Sequence, residues 1–291
     1  MISYNPKVWI SLIFHSYSRH VMRTLMPVLI FMFFFTLAIE FAYGYFEVLP
    51  ENLPGTISVH SLLGIVLGLF LVFRINSAYD RWWEGRKAWG GLVNSTRNMA
   101  LKLNAYLPAD DQASRTWFAK MIPNFVHATK EHLRKGVLVN ELEPPDEHFI
   151  AVIKEKNHKP NLIAGMLYQM VNRLYKQQVL TGDHLLNLDK EMKDFIDLIG
   201  ICERIRNTPI PYSYSMYIKK FLFIYIITLP FAFVTTFGYF TELIVVLITF
   251  ILLSVELISE EIEDPFGRDS NDLPTDELTI KIRDNIREIL L

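Results

Sequence analysis

Residues 57–89, ISVHSLLGIVLGLFLVFRINSAYDRWWEGRKAW, begin as an apolar run suited to lipid and pass without a break into a run dense in Arg and Trp and suited to water. The string predicts one helix that leaves a membrane and carries on into solvent. A chain that extends a membrane helix in this way builds along the membrane normal. The commonest reason to do so is a path across the bilayer, so the first reading is of a membrane conduit.

The totals agree with a partly embedded chain. Its 291 residues are 51% hydrophobic, and the mean hydropathy of +0.21 lies between soluble and wholly embedded proteins. Between positions 24 and 73 only Glu40, Glu47 and Glu51 are charged, whereas residues 74–220 are rich in Lys, Arg, Asp and Glu. The formal charge of -2 comes with no long basic run, which argues against a nucleic-acid partner. A single cysteine, Cys202, excludes an intrachain disulfide and a thiolate metal cage, and reads as a small buried hydrophobe. The N-terminal MISYNPKVWI lacks the pattern of a signal peptide.

Four segments approach the roughly 20 apolar residues that a crossing needs. They are 25–46, with Pro27 expected in its first turn; 57–73; 221–240, which Pro230 should kink; and 243–259, joined to its predecessor by a tight hairpin at 238–242. Arg19, Arg23, Arg74, Arg81, Lys219 and Lys220 flank these segments on one side, while the loop 47–56 has neither Lys nor Arg. The asymmetry places both termini and the middle of the chain in the cytoplasm, for a multi-pass membrane protein.

The middle of the chain has helical periodicity, with helices expected to continue to about 106 and over about 111–135, 161–176 and 182–204. The expected organisation is therefore all-α: residues 1–76 hold an N-terminal segment and the first two spans, 77–212 a cytoplasmic helical bundle, 213–259 the last two spans, and 260–291 an acidic segment and a final amphipathic helix. Thr275 is the expected cap of that helix, with Leu278, Ile282, Ile286 and Leu290 on one face. No phosphate loop, nucleophile elbow or zinc-protease pair occurs. The closest histidines of the bundle, His127 and His132, do not share a helical face, and His60 at the mouth of the second span reads as a polar interface residue.

Three places carry candidate chemistry. Ile65, Leu69 and Phe73 stand at i, i+4 and i+8, a stripe about 12 Å long at 1.5 Å per residue. Gly64 and Gly68 beside it offer a small face for close helix approach. The stripe suits either an ordinary packing seam or, if copies of the helix surround an axis, a hydrophobic constriction. In Asn207-Thr208-Pro209-Ile210-Pro211-Tyr212, two prolines fix an extended turn that either re-aims the chain or holds Ile210 out at the end of a domain. The acids of 260–272 suit a hard cation or simple solvation, without the spacing of an EF-hand. An alternative reading makes Glu256, Glu260, Glu263 and Asp264 the metal ligands of a membrane-embedded enzyme, and a third treats the bundle as a scaffold.

Residues 61–90, SLLGIVLGLFLVFRINSAYDRWWEGRKAWG, 202–211, CERIRNTPIP, and 260–274, EEIEDPFGRDSNDLP, resemble the bacterial bestrophin family in that order and spacing. The resemblance covers essentially the whole chain. It implies a homopentamer in the lipid bilayer around one axial pore that passes small monovalent ions, chloride by family and cations in some bacterial members, and it implies no enzyme. Carried over by residue, the neck falls on Ile65, Leu69 and Phe73 and the cytoplasmic aperture on Ile210. Animal relatives have an aromatic at the middle neck position, where this chain has Leu69. Their calcium clasp maps onto Glu261, Asp264, Asp269 and Asp272, although its unbroken acidic run is here Arg268-Asp-Ser-Asn-Asp272. Bacterial members need not be calcium-activated, so the resemblance requires no cofactor and leaves Ca²⁺ as an open ligand.

Overall fold

The computed structural model describes residues 16–46 and 56–291. Its long elements are helices α1 (Ser16–Tyr45), α2 (Thr56–Tyr106), α3 (Gln112–His132), α4 (Phe149–Glu155), α5 (Lys159–Lys176), α6 (Gly182–Asn207), α7 (Tyr212–Phe237), α8 (Thr241–Glu263) and α9 (Thr275–Leu290). Among the described residues there is no strand. The chain divides into two compact units, one of Trp82–Thr208 with Asp264–Leu291, the other of the described residues up to Arg81 with Pro209–Glu263. Residues 1–15, which include the N-terminal MISYNPKVWI, and residues 47–55 lie outside the described residues.

The 51-residue α2 is unbroken, about 76 Å long at the helical rise, and gives residues to both units. Among the described residues, three stretches are long and apolar enough to cross a membrane: His20–Tyr45, Ile57–Tyr106 and Tyr212–Glu263. The last is α7 and α8 joined by a 3-10 turn, Gly238–Phe240. Gly238 has φ +51°, which favours a residue without a Cβ, and the Thr241 hydroxyl donates to its carbonyl at 2.6 Å.

In this apolar unit, α1 packs on α8 and α7. Its buried residues Val21, Leu25, Leu29, Met32, Thr36 and Ile39 recur every three or four positions, a narrow seam. The opposite side, including Phe34 and Phe41, stays exposed. Helix α1 starts earlier than the apolar run suggests, because polar residues from Ser16 onward also adopt helix. Pro27 therefore sits in the helix interior rather than in its first turn. Such prolines persist in apolar helices whose packing holds them.

The other unit is a helical bundle in which α3 packs on α9 and α5, and α5 on α6. Asp111 caps α3 by accepting from the Ser114 amide at 3.0 Å. Thr181 and His184 form a reciprocal capping box at the start of α6. Helix α3 is buried nearly all round, with Phe118, Ile122 and Phe125 inaccessible, and Phe125 stacks on Phe195 of α6 at 5.2 Å. The expected ends of α3, α5 and α6 hold to within a few residues. The seven-residue α4 is too short and too closely flanked by prolines to show a period in the sequence. Thr275 is the first residue of α9 and makes no side-chain cap, since Pro274 takes the cap position. Ile282, Ile286 and Leu290 are buried as expected, and Leu278 is half-buried.

Helix α9 is tied down by charge as well as by packing. Asp276 in its first turn accepts from Arg134 at 2.7 Å and from Lys130 at 2.8 Å. The Arg134 hydrogen bond, aided by Lys130, holds the Asp276 carboxyl well below its ordinary value of 3.8. A depressed carboxyl adds stability above its ordinary range and loses it as pH falls below that range. Asp276→Asn is therefore expected to lower the thermal midpoint of detergent-solubilised protein at pH 7. The difference from wild type should shrink in melts at pH 3.

Candidate functional site

Helix α2 shows two faces within the apolar unit. Leu67, Leu71, Arg74 and Ala78 are buried at 0–4% exposure. Ile65, Leu69 and Phe73 on the other side are 73%, 56% and 53% exposed. The stripe is bounded by exposed Ser61 one turn before Ile65, and by Asn76, Ser77 and Asp80 beyond Phe73. The stripe thus lies between Ser61 and Asn76 on a face that the single chain leaves uncovered, flanked by exposed Leu62, Val66 and Val72. An exposed large apolar stripe marks lipid, a partner or a conduit rather than a core.

Gly64 is a site of close approach, for a Cβ there would lie 2.7 Å from the Tyr225 hydroxyl of α7. Gly68 has open space around it, so only the first of the two expected small positions is used for packing. His60 is tied to the same helix, its Nε2 3.0 Å from the Thr228 hydroxyl.

The residue after the stripe is the one that sequence reasoning missed. Arg74 is 1% exposed; its Nη2 meets Glu263 Oε2 at 2.8 Å and its Nε faces Glu256 Oε1 at 3.6 Å. Glu263 Oε1 accepts the Ile210 amide at 3.0 Å, and the Glu263 carbonyl accepts Arg81 Nε at 3.0 Å. Half-buried Ile210 is therefore placed by its backbone, through one carboxylate, against the arginine adjacent to Phe73. The available signal was a lone arginine closing an apolar run, with Glu256 and Glu263 two helical turns apart on α8.

These contacts correct the metal-enzyme alternative. Glu256 and Glu263 face a guanidinium, Glu260 pairs with Lys219, and Asp264 is exposed. The acids thus serve cations of the protein itself. The residues that the resemblance names for calcium are distributed over the two units. Within the bundle unit Asp264 and Asp269 are exposed, whereas Asp272 is buried. Asp272 Oδ2 accepts the Asp269 amide at 2.5 Å and its own amide donates to the Asp269 carbonyl at 3.1 Å. Phe266, 1% exposed, anchors this loop, and Trp82 Nε1 donates to the Asn271 carbonyl at 2.9 Å. In the apolar unit, half-buried Glu261 lies 4.0 Å from His20 Nε2. Among the described residues, the one group of three His, Cys, Asp or Glu side chains with convergent ligand atoms is His132, His158 and Glu203.

Residues 1–288 match the family described as Bacterial/Fungal Bestrophin protein. A voltage-dependent anion channel-forming protein of Nostoc sp. is 38% identical over 231 residues, covering 77% of this chain and 75% of that protein. The voltage-dependent anion channel-forming protein YneE of Escherichia coli K12 is 33% identical over 248 residues, covering 84% and 79%. A crystal structure of a bacterial bestrophin homolog from Klebsiella pneumoniae superposes with a TM-score of 0.84 at 27% identity, covering 92% of this chain and 99% of that one.

The ion-pair geometry generates a stability test. Removing one partner of a buried ionic group leaves the others uncompensated, at a cost of about 3–5 kcal/mol. Arg74→Met is expected to destabilise the detergent-solubilised protein by about that much, and Glu256→Gln added to it should recover part of the loss. Chemical denaturation of the single and double variants measures both.

Proposed function

Because the chain belongs to the bacterial/fungal bestrophin family, we propose that it is a passive anion channel of the bacterial inner membrane, assembled as a homopentamer with the exposed stripe of α2 turned toward a shared axis. The chain is a channel protein, not an enzyme. Ile65, Leu69 and Phe73 form the neck and Ile210 the cytoplasmic aperture. Helices α1, α2, α7 and α8 are the four crossings, with both termini cytoplasmic.

The observation that carries this reading is the division of α2 into a buried face and an uncovered apolar stripe that ends at polar Asn76, Ser77 and Asp80. A ring of such stripes makes a narrow dry segment between wet ones, where an ion must shed part of its hydration and where conduction is gated by wetting. Leu69 offers bulk without a ring edge, so the barrier here is one of width and dewetting rather than of aromatic stabilisation. Two relatives are themselves described as anion channel-forming, which favours anions over cations as the conducted species.

No cofactor is required under this reading. Asp272 is engaged with the turn of its own loop, so added Ca²⁺ should leave currents at their level in a chelator.

Purified protein in planar bilayers tests the whole. Under asymmetric NaCl the reversal potential should move toward the chloride equilibrium potential. Ile65→Ala and Ile210→Ala should each raise conductance severalfold, since smaller side chains widen and wet their rings. No conductance from wild type and from both alanine variants would sink the channel reading. A reversal potential at the sodium limit would overturn the anion assignment alone.

A further inference from the structure

His132, His158 and Glu203 come from three separate elements of the bundle: the last residue of α3, the residue that caps α5, and the last turns of α6. His132 Nε2 lies 2.8 Å and His158 Nε2 2.7 Å from the same atom, Glu203 Oε1. The two rings are 4.5 Å apart and tilted by 38°, so both nitrogens turn toward one point. All three side chains are a quarter to a third exposed, open enough to admit a solvated ion. We propose that this is a binding site for a divalent transition metal, Zn²⁺ above all, held by His132 Nε2, His158 Nε2 and a Glu203 carboxylate oxygen.

Two imidazoles and one carboxylate form the donor set of borderline cations, with a fourth position left for water. Metal–ligand distances near 2.0–2.1 Å put tetrahedral donors about 3.3 Å apart. The two nitrogens therefore need to back off from Glu203 by roughly half an ångström, which half-buried side chains at helix ends can do. The only thiol, Cys202, is not a fourth ligand: it is buried, and burial pushes it up to about 12.

Two features limit the affinity. His158 Nδ1 accepts from the Asn161 amide at 3.2 Å, which requires the ring proton on Nε2. Metal on Nε2 moves that proton to Nδ1 and ends the cap. Arg206 also stands close, its guanidinium bonded to the backbone carbonyls of His132 and Arg134, and its charge opposes a dication. The site suits reversible binding that clips the end of α3 to the start of α5 and to α6.

The competing account is a purely structural triad in which one carboxylate accepts two imidazole N–H groups. Full-length protein stripped with EDTA and titrated with ZnCl2 by calorimetry separates the two. One Zn²⁺ per chain is expected, with a rise in thermal midpoint and, on substituting Co²⁺, the visible absorption of a tetrahedral centre. His132→Ala, His158→Ala and Glu203→Gln should each weaken zinc binding at least tenfold. Glu203→Gln keeps the side chain's shape and covers the case in which a histidine variant fails to fold. His127→Ala, at the separate His127–Glu141 pair, should bind zinc like wild type. Absence of saturable zinc binding by wild type, or equal binding by the three site variants, would overturn the proposal.

Discussion

A guanidinium sealed inside an apolar helical layer sets the terms for this half of the molecule. Arg74 cannot face lipid or an empty core without a large desolvation cost, so α2 must turn it toward Glu256 and Glu263 of α8. That choice fixes the rotation of α2 about its own axis. At 100° per residue, Phe73, Leu69 and Ile65 then point roughly 100°, 140° and 180° away from the arginine. They are left outside not because apolar residues prefer it, but because the neighbouring position has a stronger claim on the interior.

The same ion pair does a second job. Glu263 divides its oxygens between Arg74 and the Ile210 amide, so the extended turn between two prolines is anchored to the helix that bears the stripe. A buried ionic group of this kind contributes little net stability compared with a well-packed apolar one. Its contribution is register. A slip of α8 by one turn would separate Glu263 from both of its partners at once, whereas a seam of Leu and Ile would tolerate the slip.

Much of this architecture was legible from residue order. The unbroken α2, the apolar helices, the bundle helices and the stripe all follow from periodicity and composition, because each depends on neighbours within a few turns. What was not legible depends on distance along the chain. Nothing near Arg74 announces partners 182 and 189 positions later, and nothing near His132 points to His158 or Glu203. The acids read as ligands of a metal enzyme misled for a related reason. Their oxygens look available in the sequence, but Glu260 is taken by Lys219, and Glu256 and Glu263 face Arg74. Pro27 misled because a helix begins where backbone hydrogen bonds begin, not where hydropathy rises.

The Ile210 turn is held by a backbone N–H rather than by its side chain. Every residue except proline carries that donor, so what hangs from the α-carbon is free to change without dislodging the turn. Placement and chemistry are thus assigned to different atoms. A lineage, or an engineer, could refit the diameter and polarity of this spot one residue at a time, leaving its address untouched.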